Sequence, residues 1–229
     1  VGDTGKGVVA EFIGTFALIF IGAGSVITAV HGGGDLVGVA LAHGLVLFIM
    51  VSNLGHISGG LFNPAIAIGL WVTGKLPSSK TVAFIAAQLT GGVAGAFLLK
   101  FLVPAEMFKA AGGGAPAVMD GLAIGKAVLI EAVASFFLIL AVFGAAVDDR
   151  GPWSKTGGLT IGLTIAFDIL AFGPFTGAAM NPARWLGPAL ANGALTNWYV
   201  WIAGPISGGI IAAVLYWGVF LRGKEPATP

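Results

Sequence analysis

GGLFNPAIAIGL, residues 59–70, is apolar enough to lie in hydrocarbon, yet an Asn-Pro pair interrupts it at Asn63 and Pro64. Far downstream GAAMNPARWLGPAL, residues 177–190, repeats the pattern at Asn181 and Pro182. Alanine completes each triplet, at Ala65 and Ala183. An Asn at a helix N-cap accepts through its side-chain oxygen from the free N–H groups of the first turn. A Pro at the first helical position lacks an N–H that would have gone unpaired. Each triplet therefore reads as a helix start, set where lipid-embedded chain is expected.

Composition says which solvent surrounds those starts. The 229 residues are 57% hydrophobic and 9% charged, with mean hydropathy +0.97, against about a quarter charged in globular domains. Such a chain belongs in a lipid bilayer. Its formal net charge of +1 comes without the clustered Lys and Arg that phosphate binding needs, so no nucleic-acid partner is expected. With no cysteine, disulfides, thiolate catalysis and Cys-ligated metals are excluded. The three histidines show no metal-binding spacing, and no nucleophile stands beside a base, so neither an enzyme nor a metal or cofactor is expected. The apolar run from Val8 to Val30 is too long for a secretory signal.

A hydrocarbon core of about 30 Å takes roughly 20 residues of helix. Runs of that length predict spans near 8–30, 35–54, 81–103, 124–147, 157–173 and 198–221. An even number of crossings leaves both termini on one side. The runs at 64–74 and 182–192 are too short to cross, and they carry the Asn-Pro pairs. Lys6, Lys75, Lys80, Arg150, Lys155, Arg222 and Lys224 fall on the side of the termini, against Lys100, Lys109 and Lys126 opposite. The termini are therefore expected in the cytoplasm. The short termini suggest an integral multi-pass protein of a prokaryotic plasma (inner) membrane.

An internal repeat organises these spans. AEFIGTFALIF, 10–20, carries Glu11 in the first, and LIEAVASFFLIL, 129–140, carries Glu131 in the fourth. The two Asn-Pro-Ala triplets are displaced by nearly the same interval. The expectation is one membrane channel domain, 1–229, built from repeats over about 8–103 and 124–221 and joined by loop 104–123. Three spans per repeat force the second to insert upside down, which places a site near the midplane at discontinuous helices. Two half-helices then meet there, their positive ends and Asn amide donors converging on one spot. Irregular backbone at that depth survives only inside protein or along a water-filled cavity. The picture is a narrow polar pore.

Polar residues take roles within that picture. Arg184 lies in the second short run, where a charge is costly and a functional candidate by default. Glu11 and Glu131 suit hydrogen-bond acceptors for the half-helix loops, whose backbone donors nothing else would satisfy. His56 is a candidate gate on protonation, with a fixed loop contact as the other reading; His31 is expected to be solvated. The small-residue stretches GGVAG, 91–95, and GPISG, 204–208, suit close helix packing.

The double Asn-Pro-Ala box, Arg184 after the second box, GHISGG (55–60) before the first, and the paired Glu11 and Glu131 together resemble the aquaporin (major intrinsic protein) family over essentially the whole chain. That resemblance implies an all-α membrane fold of six transmembrane helices and two re-entrant half-helices, assembled as a homotetramer with one pore per subunit. It also implies a selectivity filter at His43, Ile169, Ala178 and Arg184. This set, with LAHGLVLF at 41–48, is similar to plant tonoplast intrinsic proteins. A filter with Ile169 opposite a small Ala178 is expected to pass water and a small neutral solute such as ammonia. Protons and ions should be excluded by the paired Asn donors and, as in aquaporins generally, by the half-helix ends and Arg184. Glycerol or small-polyol facilitators are the alternative, but they carry Asp after that Arg where this chain has Trp185. Trp185 is expected against lipid or a neighbouring subunit, and Asp168 in a hydrogen bond to another helix. A proton-coupled transporter using Glu11, Glu131, Asp168 and His43 is the reading from another class.

Overall fold

Hydrocarbon offers the backbone no partners, so a spanning segment pairs its own N–H and C=O groups along a helix. The computed structural model, described for residues 3–150 and 156–223, is all helix and connecting loop. In chain order the elements are α1 (Asp3–Val30), α2 (Leu36–Ser58), α3 (Pro64–Val72), α4 (Ser78–Leu102), α5 (Ala105–Ala110), α6 (Ile124–Val142), α7 (Gly157–Thr176), α8 (Pro182–Asn192) and α9 (Val200–Tyr216). Wider π-type turns extend α6 over Phe143–Val147 and α9 over Trp217–Leu221.

Six of these helices are long and apolar enough to cross a membrane. The largest departures from the hydropathy-based bounds are that α1 starts at Asp3 and α2 runs on to Ser58. Hydropathy marks where hydrocarbon begins and ends, whereas a helix continues until its backbone is interrupted. For α2 that interruption is Gly59, whose φ of 99 ends the helix in a left-handed cap. At 1.5 Å per residue, α3 with 9 residues and α8 with 11 are far too short to span. Lys155 and Lys224, counted in the orientation argument, lie outside the described residues.

Matching contacts build the two halves. α1 packs on α4 and α2, α6 packs on α9 and α7, and α2 crosses α7. α3 rests on α9 and α4, and α8 rests on α4. Without a hydrophobic force between helices in lipid, close approach depends on small residues. A Cβ on Gly91 would strike the Phe12 carbonyl, one on Gly95 the Phe16 carbonyl, and one on Gly208 the Ala132 carbonyl. The outer surface stays apolar, with Phe101, Val82 and Leu129 well exposed. On the side of the termini, Asp148 accepts from the Arg150 guanidinium and the Tyr216 hydroxyl, and Arg150 donates to Phe220 O. Those guanidinium hydrogen bonds hold the Asp148 carboxyl well below the usual carboxylate range, so the clasp is intact at neutral pH and is lost only in strong acid. His31 corrects the expectation of a merely solvated ring: a ring nitrogen lies 3.1 Å from Met107 O, tying the end of α1 to α5.

Gly208→Ala should lower the melting temperature in detergent, by the roughly 1–3 kcal/mol that overpacking costs. Gly218→Ala is the control, because nothing lies within 4 Å of its added methyl. Equal melting temperatures in the two variants would contradict the packing account.

Candidate functional site

Loops 59–63 and 177–181 carry the chain from α2 into α3 and from α7 into α8. Asn63 and Asn181 are the N-caps. Asn63 Oδ1 accepts from Ala65 N at 2.8 Å, and Asn181 Oδ1 from Ala183 N at 2.9 Å and Arg184 N at 3.3 Å. Pro64 and Pro182 open the helices that follow. The amide nitrogens do something the sequence did not show. Asn63 Nδ2 donates to Met180 O and Asn181 Nδ2 to Phe62 O, both at 2.9 Å. Each amide thus spends one N–H locking the opposite loop and keeps one, where both were expected to face the lumen. Phe62 and Met180 present those carbonyls from left-handed backbone, φ 47 and 53, a conformation costing about 1–3 kcal/mol at a non-glycine residue.

What holds that strain is a pair of buried carboxylates. Glu11 accepts from Leu61 N (2.9 Å), Phe62 N (2.7 Å), Ser58 Oγ (2.6 Å) and Gln88 Nε2 (2.7 Å). Glu131 accepts from Ala179 N (2.9 Å), Met180 N (2.8 Å) and Thr176 Oγ1 (2.7 Å). Ser58, Thr176 and Gln88 escaped the sequence reading. A signal for the first two existed: GHISG at 55–59 and GPFTG at 173–177 put a hydroxyl five residues before each Asn. Trp201 donates from Nε1 to Thr176 O at 3.0 Å, and Trp185 stacks on Trp201 with ring centroids 5.5 Å apart. Trp185 is therefore buried inside the subunit, which corrects its expected place against lipid or a neighbour. Its indole fills a small cluster with Ala127, Ala179, Ala189 and Val200 behind the second loop.

A narrow cavity runs past the place where the two loops meet. His43, Ile169, Ala178, Arg184, Asn63 and Asn181 all line it, together with apolar residues such as Leu18, Leu138 and Ile165. Its volume of about 20 Å³ is room for about one water at a time. Arg184 is held in the wall: Nε donates to His43 Nε2 at 2.9 Å and an Nη to Gly114 O at 3.0 Å. His43 Nδ1 lies 2.8 Å from Val39 O. A carbonyl only accepts, so Nδ1 carries the hydrogen and Nε2 offers the lone pair that Arg184 occupies. Beyond Arg184 a vestibule of about 290 Å³ opens on the side away from the termini, bounded by Gly114, Ala115, Pro116 and Ala117. Loop 104–123 thus forms the mouth on that side, and its Gly114 carbonyl helps to hold Arg184.

Other candidates stand apart. His56 is exposed at the end of α2, does not line this cavity, and makes no hydrogen bond among the described residues. Glu11 and Glu131 do not line the cavity either. Asp168 is fully buried, and neither carboxylate oxygen has a hydrogen-bond partner among the described residues. The expected hydrogen bond to another helix is thus not made directly among the described residues.

Residues 3–216 match the Major intrinsic protein family. The chain belongs to that family. It is 41% identical to "Aquaporin TIP4-4" of Zea mays over 96% of this chain and 90% of that one. It is also 37% identical to "Aquaporin AqpM" of Methanothermobacter marburgensis over 92% of this chain and 96% of that one. Among solved structures, the aquaglyceroporin from Plasmodium falciparum superposes with a TM-score of 0.86, covering 95% of this chain and 97% of that one. At 24% identity that likeness shows the fold alone. Major intrinsic proteins are channels rather than enzymes, and this membrane protein is an aquaporin-type channel for water or small neutral solutes.

Glu11→Leu should strip Leu61 N and Phe62 N of their acceptor, at about 1–3 kcal/mol for each buried donor left unpaired. Glu11→Gln, which keeps one acceptor oxygen, should melt between the leucine variant and wild type in detergent. A leucine variant as stable as wild type would refute the acceptor role.

Proposed function

We propose that the pore passes water and a small neutral solute such as ammonia, with His43, Ile169, Ala178 and Arg184 as the selectivity filter. The observation that carries this reading is the coupling of His43 and Arg184 within one narrow cavity. Arg184 spends Nε on His43 and an Nη on Gly114 O, leaving its remaining guanidinium hydrogens for a passing oxygen or nitrogen. Ile169 and Ala178 complete the lining without adding side-chain hydrogen bonds. A small neutral molecule therefore meets donors on one side and hydrocarbon on the other. The second N–H of each Asn gives a midplane water two donors, so that its own hydrogens point outward and a proton relay is broken. The half-helix N-termini add positive potential against cations, as in aquaporins generally. Glu11 and Glu131, which accept from loop N–H groups and flanking side chains, serve as loop anchors rather than proton carriers.

Three further features belong to this reading. The two halves are inverted repeats, which accounts for the matching contacts and the paired carboxylates. The chain assembles as a homotetramer with one pore per subunit, and its termini face the cytoplasm of a prokaryotic inner membrane.

Stopped-flow light scattering on proteoliposomes tests the substrate. Wild type should pass water and ammonia but little glycerol. Ile169→His should keep water and lower ammonia flux by about tenfold, a barrier rise of about 1.4 kcal/mol. Ammonia flux unchanged in Ile169→His would overturn the filter assignment, and fast glycerol flux in wild type would favour a polyol facilitator.

A further inference from the structure

We propose that Asp168 is a positioning residue of the second pore loop, present as the neutral acid and handing Glu131, across one buried water, a hydrogen bond to match the one that Gln88 donates to Glu11. The two carboxylates differ by one donor. Each accepts from two loop N–H groups and from the hydroxyl of the last residue of the helix that leads into that loop, but only Glu11 also accepts from a side chain within another spanning helix, Gln88 on α4. On Glu131 it is Oε2 that holds a single bond, from Met180 N.

The second half has nothing at the equivalent place. Gly92 on α4 faces the Ala183 carbonyl of the second box, and Gly209 on α9 faces the Ala65 carbonyl of the first. The same offset sets Pro205 against Gln88, and proline has no side-chain donor. Asp168 comes instead from α7, which packs on α6. It is fully buried, both its oxygens are without partners among the described residues, and Glu131 is the charged group that bears on it. Arg184 is the cation that acts on Glu131 in turn, and it is already committed to His43 and Gly114. An ionised Asp168 would thus be a buried charge with no donor, beside a second carboxylate. As the acid it supplies a donor that the water can pass on to Oε2. Ser135, one turn beyond Glu131 on the same face of α6, also has a buried hydroxyl without a partner among the described residues, and it can serve as a further partner for that water.

Asp168→Asn preserves the donor and removes the acid, whereas Asp168→Leu removes both. Infrared spectra of proteoliposomes at neutral pH should show a protonated carboxyl band in wild type that is lost in Asp168→Asn. Asp168→Asn should keep wild-type water flux and melting temperature, and Asp168→Leu should lower both. A wild type without the band, a band that survives in Asp168→Asn, or an Asn variant as damaged as Leu would each overturn the proposal. The infrared arm does not depend on which solutes pass, and it decides the matter even where the leucine variant fails to fold.

Discussion

Two carboxylates set in the spanning helices bear the constraint on which the rest depends. Backbone that leaves the helix inside a membrane exposes N–H groups that neither lipid nor its own turn can satisfy. Leu61, Phe62, Ala179 and Met180 are such groups, and Glu11 and Glu131 accept from all four. Remove those acceptors and the loops have no reason to stop at mid-depth. Four buried donors at about 1–3 kcal/mol each compare with a total stability of about 5–15 kcal/mol for a typical domain, so the anchors are essential rather than helpful.

From that anchoring the site follows in steps. Fixed loops present Phe62 O and Met180 O to the opposite half, and the two Asn amides close the lock across the midplane. The lock aligns α3 and α8 so that their N-termini meet, and α8 then carries Arg184 into the wall of the cavity that Ile169 also lines. The second loop has extra support from the Trp185–Trp201 stack behind it. Glycines at the helix crossings allow the bundle to close around this arrangement. Each level spends tolerance created by the one below, and the narrow cavity is the result.

Much of the fold was legible because hydropathy, length and capping chemistry act locally. Two apolar runs too short to cross, each opened by Asn-Pro, could hardly be anything but half-helices, and Glu11 and Glu131 in apolar spans had to accept from something. The partners were harder to read. Nothing local tells that Asn63 spends an N–H on Met180 O, or that Arg184 reaches His43 and Gly114, because those bonds join residues more than 65 positions apart. Trp185 was misplaced for a related reason. In a membrane protein an aromatic side chain is equally at home facing lipid or packed inside, and periodicity does not separate the two. Asp168 was expected in a hydrogen bond to another helix, yet no donor among the described residues meets either of its oxygens.

The central claim is that the paired Asn donors at the midplane let water pass while ions are refused. Asn181→Asp and Asn63→Asp keep an oxygen for the N-cap but replace the donor with a negative charge. The direct measurement is proton and sodium flux, alongside water flux, in proteoliposomes of wild type and both variants. The account predicts that water still passes and that either variant leaks cations where wild type does not. Variants that conduct water and stay as tight to protons and sodium as wild type would contradict it.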